Sequence, residues 1–385
     1  MDSSKKLGVF LGVALGFVPC GAFAKATETT EATEATSKKD MFFNKKNTDF
    51  YLGLLYLQPH SGNLNYAVFV SGTQPYSQSW HYQALKPEYS PGFELGGKYA
   101  FSDDLHQALL GWVHLNTRDS SFKQAARSTD LISVEFVSPP FEQSPPVFGI
   151  KRADSTVTFN FDSIELNVAR VFEPHSKLQA KLFGGINILR IKQKLTTVFS
   201  DLAGTPATDY SYALSPDPAF SFQLQNTSDY LGVGPDLGLN VAYTITHGFG
   251  VLGEALGTLT AGNMSIQDKF TSTSTRLSDL GIGISHQEIT VPDTTQVVPG
   301  FDGKLGVFYK YFGENIPKLT FEAGYRFASY INGISTVNPS TLVQPGTFVA
   351  TPAFSTGTMA IVSSDVKNQM FNFNGPYIKL NISLA

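Results

Sequence analysis

Twelve ionisable residues stand out because each falls on the polar side of an alternating run. The acids are Glu94, Glu165, Asp236, Glu254, Asp302 and Glu322, and the bases are Lys98, Lys181, Lys304, Lys310, Arg326 and Lys379. Charges of both signs gathered on one inner face can pair to hold a shape. They can also line a wet passage and tune which ions cross it. The even balance of sign argues against a one-sided filter. Histidine is the other candidate chemistry. His175 and His247 fall in polar turns, and His106 stands next to one. His114, together with Trp112, is expected on the inner face near a rim, as a packed side chain. No Ser or Asp is spaced to complete a nucleophilic site around it.

Other chemistries find no support in the residues. No His/Cys/Asp/Glu spacing suggests a metal site. Gly232, Gly234 and Gly238 lie within an alternating run and open no helix, so they are no nucleotide loop. The chain asks for no cofactor, and an enzyme is not expected. Its formal net charge is -4 with no basic run, which gives nucleic acid nothing to bind.

The elements that must position the twelve residues alternate with period two. In Leu231–Ile245 the odd positions are nearly all large and apolar, whereas the even ones include Gly232, Asp236, Gly238, Asn240 and Thr244. Pro235 interrupts this run and predicts a bulge or a strand end. Similar runs surround Phe93–Phe101, Phe301–Tyr311, Leu319–Phe327 and Ile378–Leu384. Each is about ten residues long, the length of a tilted membrane-crossing strand. Ten strands are expected, near 49–58, 91–101, 105–117, 156–172, 177–191, 229–245, 249–261, 300–312, 317–330 and 370–385, with 8–12 as the range the pattern allows.

Short turns are read at Ser102–Asp104, Glu173–Ser176, Thr246–Gly248 and Gly313–Asn315. Stretches rich in Ser, Thr, Pro, Asn and Asp separate the hairpins, near 60–90, 118–155, 193–228, 262–298 and 331–369. Short turns on one side and long loops on the other define a transmembrane antiparallel up-and-down β-barrel with long extracellular loops. An even count puts both chain ends on the periplasmic side. Segments 130–137 and 347–362 are left as extra strands or loop extensions. A ten-stranded barrel is narrow. Two stretches, 348–362 and 138–147, are candidates to fold into it or to meet neighbouring loops and lipopolysaccharide.

The start of the chain sets the compartment. Lys5 and Lys6 precede an apolar run from Leu7 to Val18, and Ala22-Phe23-Ala24 supplies a small-x-small site, so residues 1–24 read as a cleaved signal peptide. Cys20 is the one cysteine, and Pro19 before it does not suit lipid attachment. The mature chain then has no thiol chemistry. Residues 25–48 begin as a low-complexity Thr/Glu/Ala/Lys tract, expected as a periplasmic spacer. The barrel occupies 49–385.

A secreted β-sandwich would alternate too. Aromatic residues at strand ends, Tyr309, Tyr311 and Phe312 in one and Tyr325, Phe327 and Tyr330 in another, favour the membrane through interfacial girdles.

With the opening strand Phe50–Tyr56, the Gly-rich run Tyr230–Leu239, Phe321–Arg326 and the close Tyr377–Leu384, the chain resembles the major outer-membrane-protein family of Legionella, which also has members in environmental chlamydiae. The likeness is one of pattern over most of the mature chain. It implies a porin-like outer-membrane barrel. Two departures stand out: family members are often cross-linked through cysteines, which this mature chain lacks, and the chain ends in Leu384-Ala385 where an aromatic residue is usual.

Two functions follow as expectations. One is passage of small hydrophilic solutes or ions through a narrow charged lumen. The other is a surface-exposed structural or adhesive barrel whose loops bind an envelope or host partner. Outer-membrane lipid and lipopolysaccharide are the expected surroundings, and homo-oligomerisation is left open.

Overall fold

The computed structural model describes residues 48–73, 77–101, 105–126, 130–134, 150–202, 217–272, 286–311, 318–344 and 358–384. Residues 1–47, which hold the expected signal peptide and nearly all of the expected spacer, the expected turns at 102–104 and 313–315, Phe312 and the stretch 138–147 lie outside them.

Thirteen strands form one antiparallel sheet: β1 (Thr48–Ser61), β2 (Asn65–Thr73), β3 (Ser77–Ala84), β4 (Ser90–Ala100), β5 (His106–Gln124), β6 (Leu131–Val134), β7 (Ile150–His175), β8 (Leu178–Leu202), β9 (Asp217–Thr246), β10 (Phe249–Ser272), β11 (His286–Tyr311), β12 (Lys318–Gln344) and β13 (Thr358–Leu384). Ten of them close a ring in the order β1-β4-β5-β7-β8-β9-β10-β11-β12-β13, and β13 returns to β1 through Thr48↔Leu384 up to Ser61↔Phe371. Both strand ends at the seam, Thr48 and Leu384, therefore lie on the short-turn side. The remaining three are short: β2 pairs with β3 and β6, and β6 joins β7 through Ile132↔Ile150.

The ten expected strands are present, but most run far beyond their expected ends. β9 has 30 residues and β12 and β13 have 27 each, against about 10 for a crossing. The excess lies at the end away from the short turns, so the wall continues as a sheet outside the membrane. Much of what reads as loop in 193–228 and 262–298 is strand, and residues 358–362 belong to β13.

The outward face of the lower wall is apolar, as lipid requires. Leu54, Leu110, Leu166, Leu237, Leu305 and Ile378 are all at least half exposed. Tyr309, Tyr311, Tyr325 and Phe327 also face out, as an interfacial girdle needs. Tyr330 does not. It lies on the opposite parity, 3% exposed in the interior. Pro235 neither ends β9 nor bulges it. It pairs with Ile186 of β8, while the β9–β10 ladder skips Gly234 and Pro235 and resumes in unchanged register from Thr258↔Asp236 to Ala261↔Val233. A proline lacks the N–H for one side of a ladder, and here only that side is interrupted.

Glycine makes room on the inner face. A Cβ on Gly96 would stand 2.2 Å from the Tyr51 ring, and one on Gly238 2.3 Å from Phe183. Both rings occupy space that a side chain on these neighbours would fill.

Candidate functional site: a filled lumen in two storeys

The lower storey is a charged chamber at membrane depth. Arg326 on β12 is 1% exposed. Its Nε and Nη2 donate to the Asp302 carboxylate of β11 at 2.5–3.1 Å, and its Nη1 donates to Glu94 Oε2 of β4 at 3.0 Å. Lys304 Nζ reaches Glu94 Oε1 at 3.1 Å and Glu254 Oε1 of β10 at 3.2 Å. Lys379 of β13 lies 3.6 Å from Glu322 and 3.8 Å from Glu94. Tyr377 donates to Glu322 at 2.7 Å, and Asn240 donates to Glu254 at 2.8 Å. β4 and β11 are far apart around the ring, so the Lys304–Glu94 pair spans the lumen.

Beside this network lies a cavity of about 80 Å³, bordered by Tyr51, Glu165, Asn167, Lys181 and the edges of Glu94, Glu254, Lys304 and Lys379. It has room for about five waters. Nine of the twelve expected lumen residues thus meet in one chamber: Glu94, Glu165, Lys181, Glu254, Asp302, Lys304, Glu322, Arg326 and Lys379. The other three also face inward but stand apart. Lys98 pairs with Asp49 near the periplasmic mouth, Lys310 lies over the Phe308 ring, and Asp236 is buried level with Gly185 and Thr258. Tyr51, Tyr377 and Asn240 complete the network without being among the twelve ionisable candidates. Their sign was available: each shares the inward parity of a neighbouring charge.

The upper storey reverses the expected chemistry, because its inner face is apolar. Phe159, Phe161, Phe371 and Phe373 are at most 1% exposed, with Leu57, Leu115, Ile191 and Tyr230 fully buried around them. β7 and β12 stand opposite in the ring, yet the Phe161 and Tyr330 centroids are 5.3 Å apart. Phe161 also lies 5.8 Å from Phe371 and 5.0 Å from Phe373 of β13. Each buried side chain contributes about 1.5–3 kcal/mol, so this layer is a hydrophobic core inside a membrane barrel. The inward charges expected of the lumen are thus confined to the lower storey, and the upper inner face is apolar and packed across the ring.

Two segments pack across the upper lumen. The β11–β12 ladder ends at Gly300↔Tyr330. The β12–β13 ladder shifts register between Tyr330 and Ile334, with Asn332 at φ 61. Beyond that bend β12 leans inward as a strap, with Ile334, Ser335 and Val337 fully buried. Ser335 N donates to Ser228 Oγ of β9 at 3.0 Å, and Gln296 of β11 holds Asn332 O at 2.8 Å. On the other side Asn63, just past β1, exchanges hydrogen bonds with Gln193 of β8 at 2.8 and 2.9 Å. These are not the stretches expected to fold in. Of those, 138–147 and 348–357 lie outside the described residues.

His114 and Trp112 face outward, contrary to expectation. His114 Nδ1 is 2.7 Å from Asp162 Oδ1, and Trp112 Nε1 donates to the same oxygen at 3.2 Å. The His–Asp pair that spacing did not reveal therefore exists, formed across the β5–β7 ladder on the outer wall. Among the described residues no group of three His/Cys/Asp/Glu could hold a metal.

A closed antiparallel ring with an apolar outer band, aromatic girdles and short turns at one end is an outer-membrane β-barrel. The chain belongs to the family described as Legionella pneumophila major outer membrane protein precursor, whose model matches residues 43–384. It is accordingly a protein of the bacterial outer membrane. No curated protein matches it. Among solved structures it is similar to the outer membrane protease OmpT from Escherichia coli, at 8% identity over 90% of this chain and 100% of that one, TM-score 0.38. It is also similar to a Pseudomonas aeruginosa FadL homologue (9%, 89% and 93%, 0.26) and to the P. putida toluene transporter TodX (8%, 88% and 90%, 0.29).

Proposed function

We propose that this protein is a barrel sealed at rest, which works at the cell surface through the sheet and loops it raises above the membrane. The reading rests on one observation: aromatic rings from opposite walls touch in the upper lumen, Phe161 against Tyr330 at 5.3 Å. A wall built to be filled is a platform, and its exposed extensions offer the area for an envelope or host partner. We read the chain as non-enzymatic, since its His114–Asp162 pair lies on the outer wall beside Trp112. The deciding experiment is planar-bilayer conductance of the folded full chain. A silent bilayer is expected, and stepwise openings from the unmodified protein would overturn the platform.

A second reading, passage of small ions or solutes, is favoured by the bend at Asn332 and by the charged chamber below. Passage would require the strap to swing away and the aromatic layer to part. Under that reading Lys304→Glu and Glu322→Lys change ion preference in opposite directions.

A further inference from the structure

On the outer wall of β8 the side chains change character abruptly. Leu182, Ile186 and Ile188 face lipid, and the next three outward positions are Arg190, Lys192 and Lys194. The neighbouring strands change at the same level. Trp112 on β5 and Ile164 on β7 are the last exposed apolar residues before His114 and Asp162. A tryptophan at such a border marks the membrane interface. The strands continue upward from here, so this is the outer leaflet's headgroup level.

The charges in this patch do not cancel. Asp229 of β9 holds Arg190 through Nε at 3.2 Å and Nη2 at 3.0 Å, and Lys192 at 3.1 Å. Asp162 is taken by His114 and Trp112. One row higher, Arg118 of β5 and Lys194 flank Thr158 of β7 in the register Arg118↔Thr158↔Lys194. Two strand spacings put them about 10 Å apart, with the Thr158 hydroxyl between. Four cations therefore face two carboxylates on a surface that meets headgroups.

We infer that Arg118, Thr158 and Lys194, backed by Arg190 and Lys192, form a binding site for a phosphate of the outer leaflet's phosphorylated glycolipid. The acyl chains would lie along Leu110, Ile164 and Leu166 below, and the phosphate would enter the gap between the two cations. Charge complementarity at a fixed depth selects this occupant over a soluble anion, which would gain nothing from the apolar wall.

The test is native mass spectrometry of the folded full chain in detergent, titrated with bisphosphorylated lipid A and with the same lipid stripped of phosphate. Wild type should retain the phosphorylated lipid about tenfold more tightly, the weight of one or two charge-assisted contacts. Arg118→Gln with Lys194→Gln should erase that difference. Lys269→Gln, a cation on the outer face of β10, should leave it intact. All these side chains are on the surface, so heat-modifiable mobility on a gel should confirm each variant folded, and Arg118→Lys with Lys194→Arg should keep most binding. Equal retention of the two lipids by wild type, or undiminished preference in the double Gln variant, would overturn the site. Displacement by equimolar inorganic phosphate would instead make it a soluble-anion site and sink the glycolipid assignment.

Discussion

Phe161 on β7 and Tyr330 on β12 belong to opposite walls of the barrel, and their rings are in contact, 5.3 Å between centroids. Both are at most 3% exposed. Truncating either leaves a void in a packed core, which costs about 3–5 kcal/mol for an aromatic-to-alanine change. Phe161→Ala with Phe371→Ala should lower the urea unfolding midpoint in lipid vesicles and allow brief conductance steps. A folded double variant that stays silent would show that the strap seals the lumen without the aromatic layer.

Arg326 is enclosed by Asp302 and Glu94. Removing one partner of a buried network strands the other's charge, at about 3–5 kcal/mol. Arg326→Met should therefore destabilise the barrel strongly in the same unfolding assay. Arg326→Lys should recover part of the loss, because an ammonium supplies the charge without the planar fork that serves two carboxylates at once.

Across the mouth the strap is tied by Ser335 N donating to Ser228 Oγ, beside bonds to Gln296 and Asn368 on the neighbouring strands. Ser228→Ala leaves that buried N–H without its acceptor, a cost of about 1–3 kcal/mol. Faster amide exchange across Ile331–Val337 is expected, with the lower wall unchanged. Unaltered exchange in the strap would mean that the packing of Ile334 and Val337 and the bonds to Gln296 and Asn368 hold it without Ser228.

Asp268 gives the extracellular sheet a pH dependence. It sits on β10 about 30 Å past Leu259, the last strongly exposed apolar residue of that strand. Between Ile266 and Phe270 on the inner face it is 2% exposed. Burial pushes its carboxyl up to about 7. A folded pKa raised above the unfolded value means the folded state holds the proton longer. Stability is then fullest below about pH 4 and falls as pH rises towards 7. Asp268→Asn should flatten that slope, measured as thermal midpoints at about pH 5 and about pH 8. An unchanged slope would place the titration elsewhere.

The lower barrel was legible because lipid demands an apolar outer face, so Leu237 and Leu239 alternate visibly with Gly238 and Asn240. The upper barrel was not, since the same strand changes its rule part-way. Above the membrane β9 turns Phe220, Phe222 and Leu224 inward and polar Ser221, Gln223 and Gln225 outward. That is the pattern of a soluble sheet, and its wealth of Ser and Gln reads as loop. The charged chamber could be anticipated residue by residue from parity. Its pairings, such as Lys304 with Glu94, join strands distant in the chain, and no local spacing reveals them. His114 was misplaced for a related reason. Around it both parities are apolar, with Leu110 and Trp112 on one and Leu109, Val113 and Leu115 on the other, so alternation gave no direction.

The seam between β1 and β13, Thr48 against Leu384, bears on how the barrel is made. Every other junction of the ring joins strands that follow one another around the wall, so hairpins can zip up as the chain is delivered. The seam alone joins the two extremes of the strand order, and contacts between distant segments carry the greatest loop-closure cost. Until it shuts, β1 and β13 each carry a bare edge, and the cross-lumen pairs Lys304–Glu94 and Phe161–Phe371 lack the geometry to form. Shutting the ring and filling its interior are thus one cooperative event, and the last strand to arrive sets its timing.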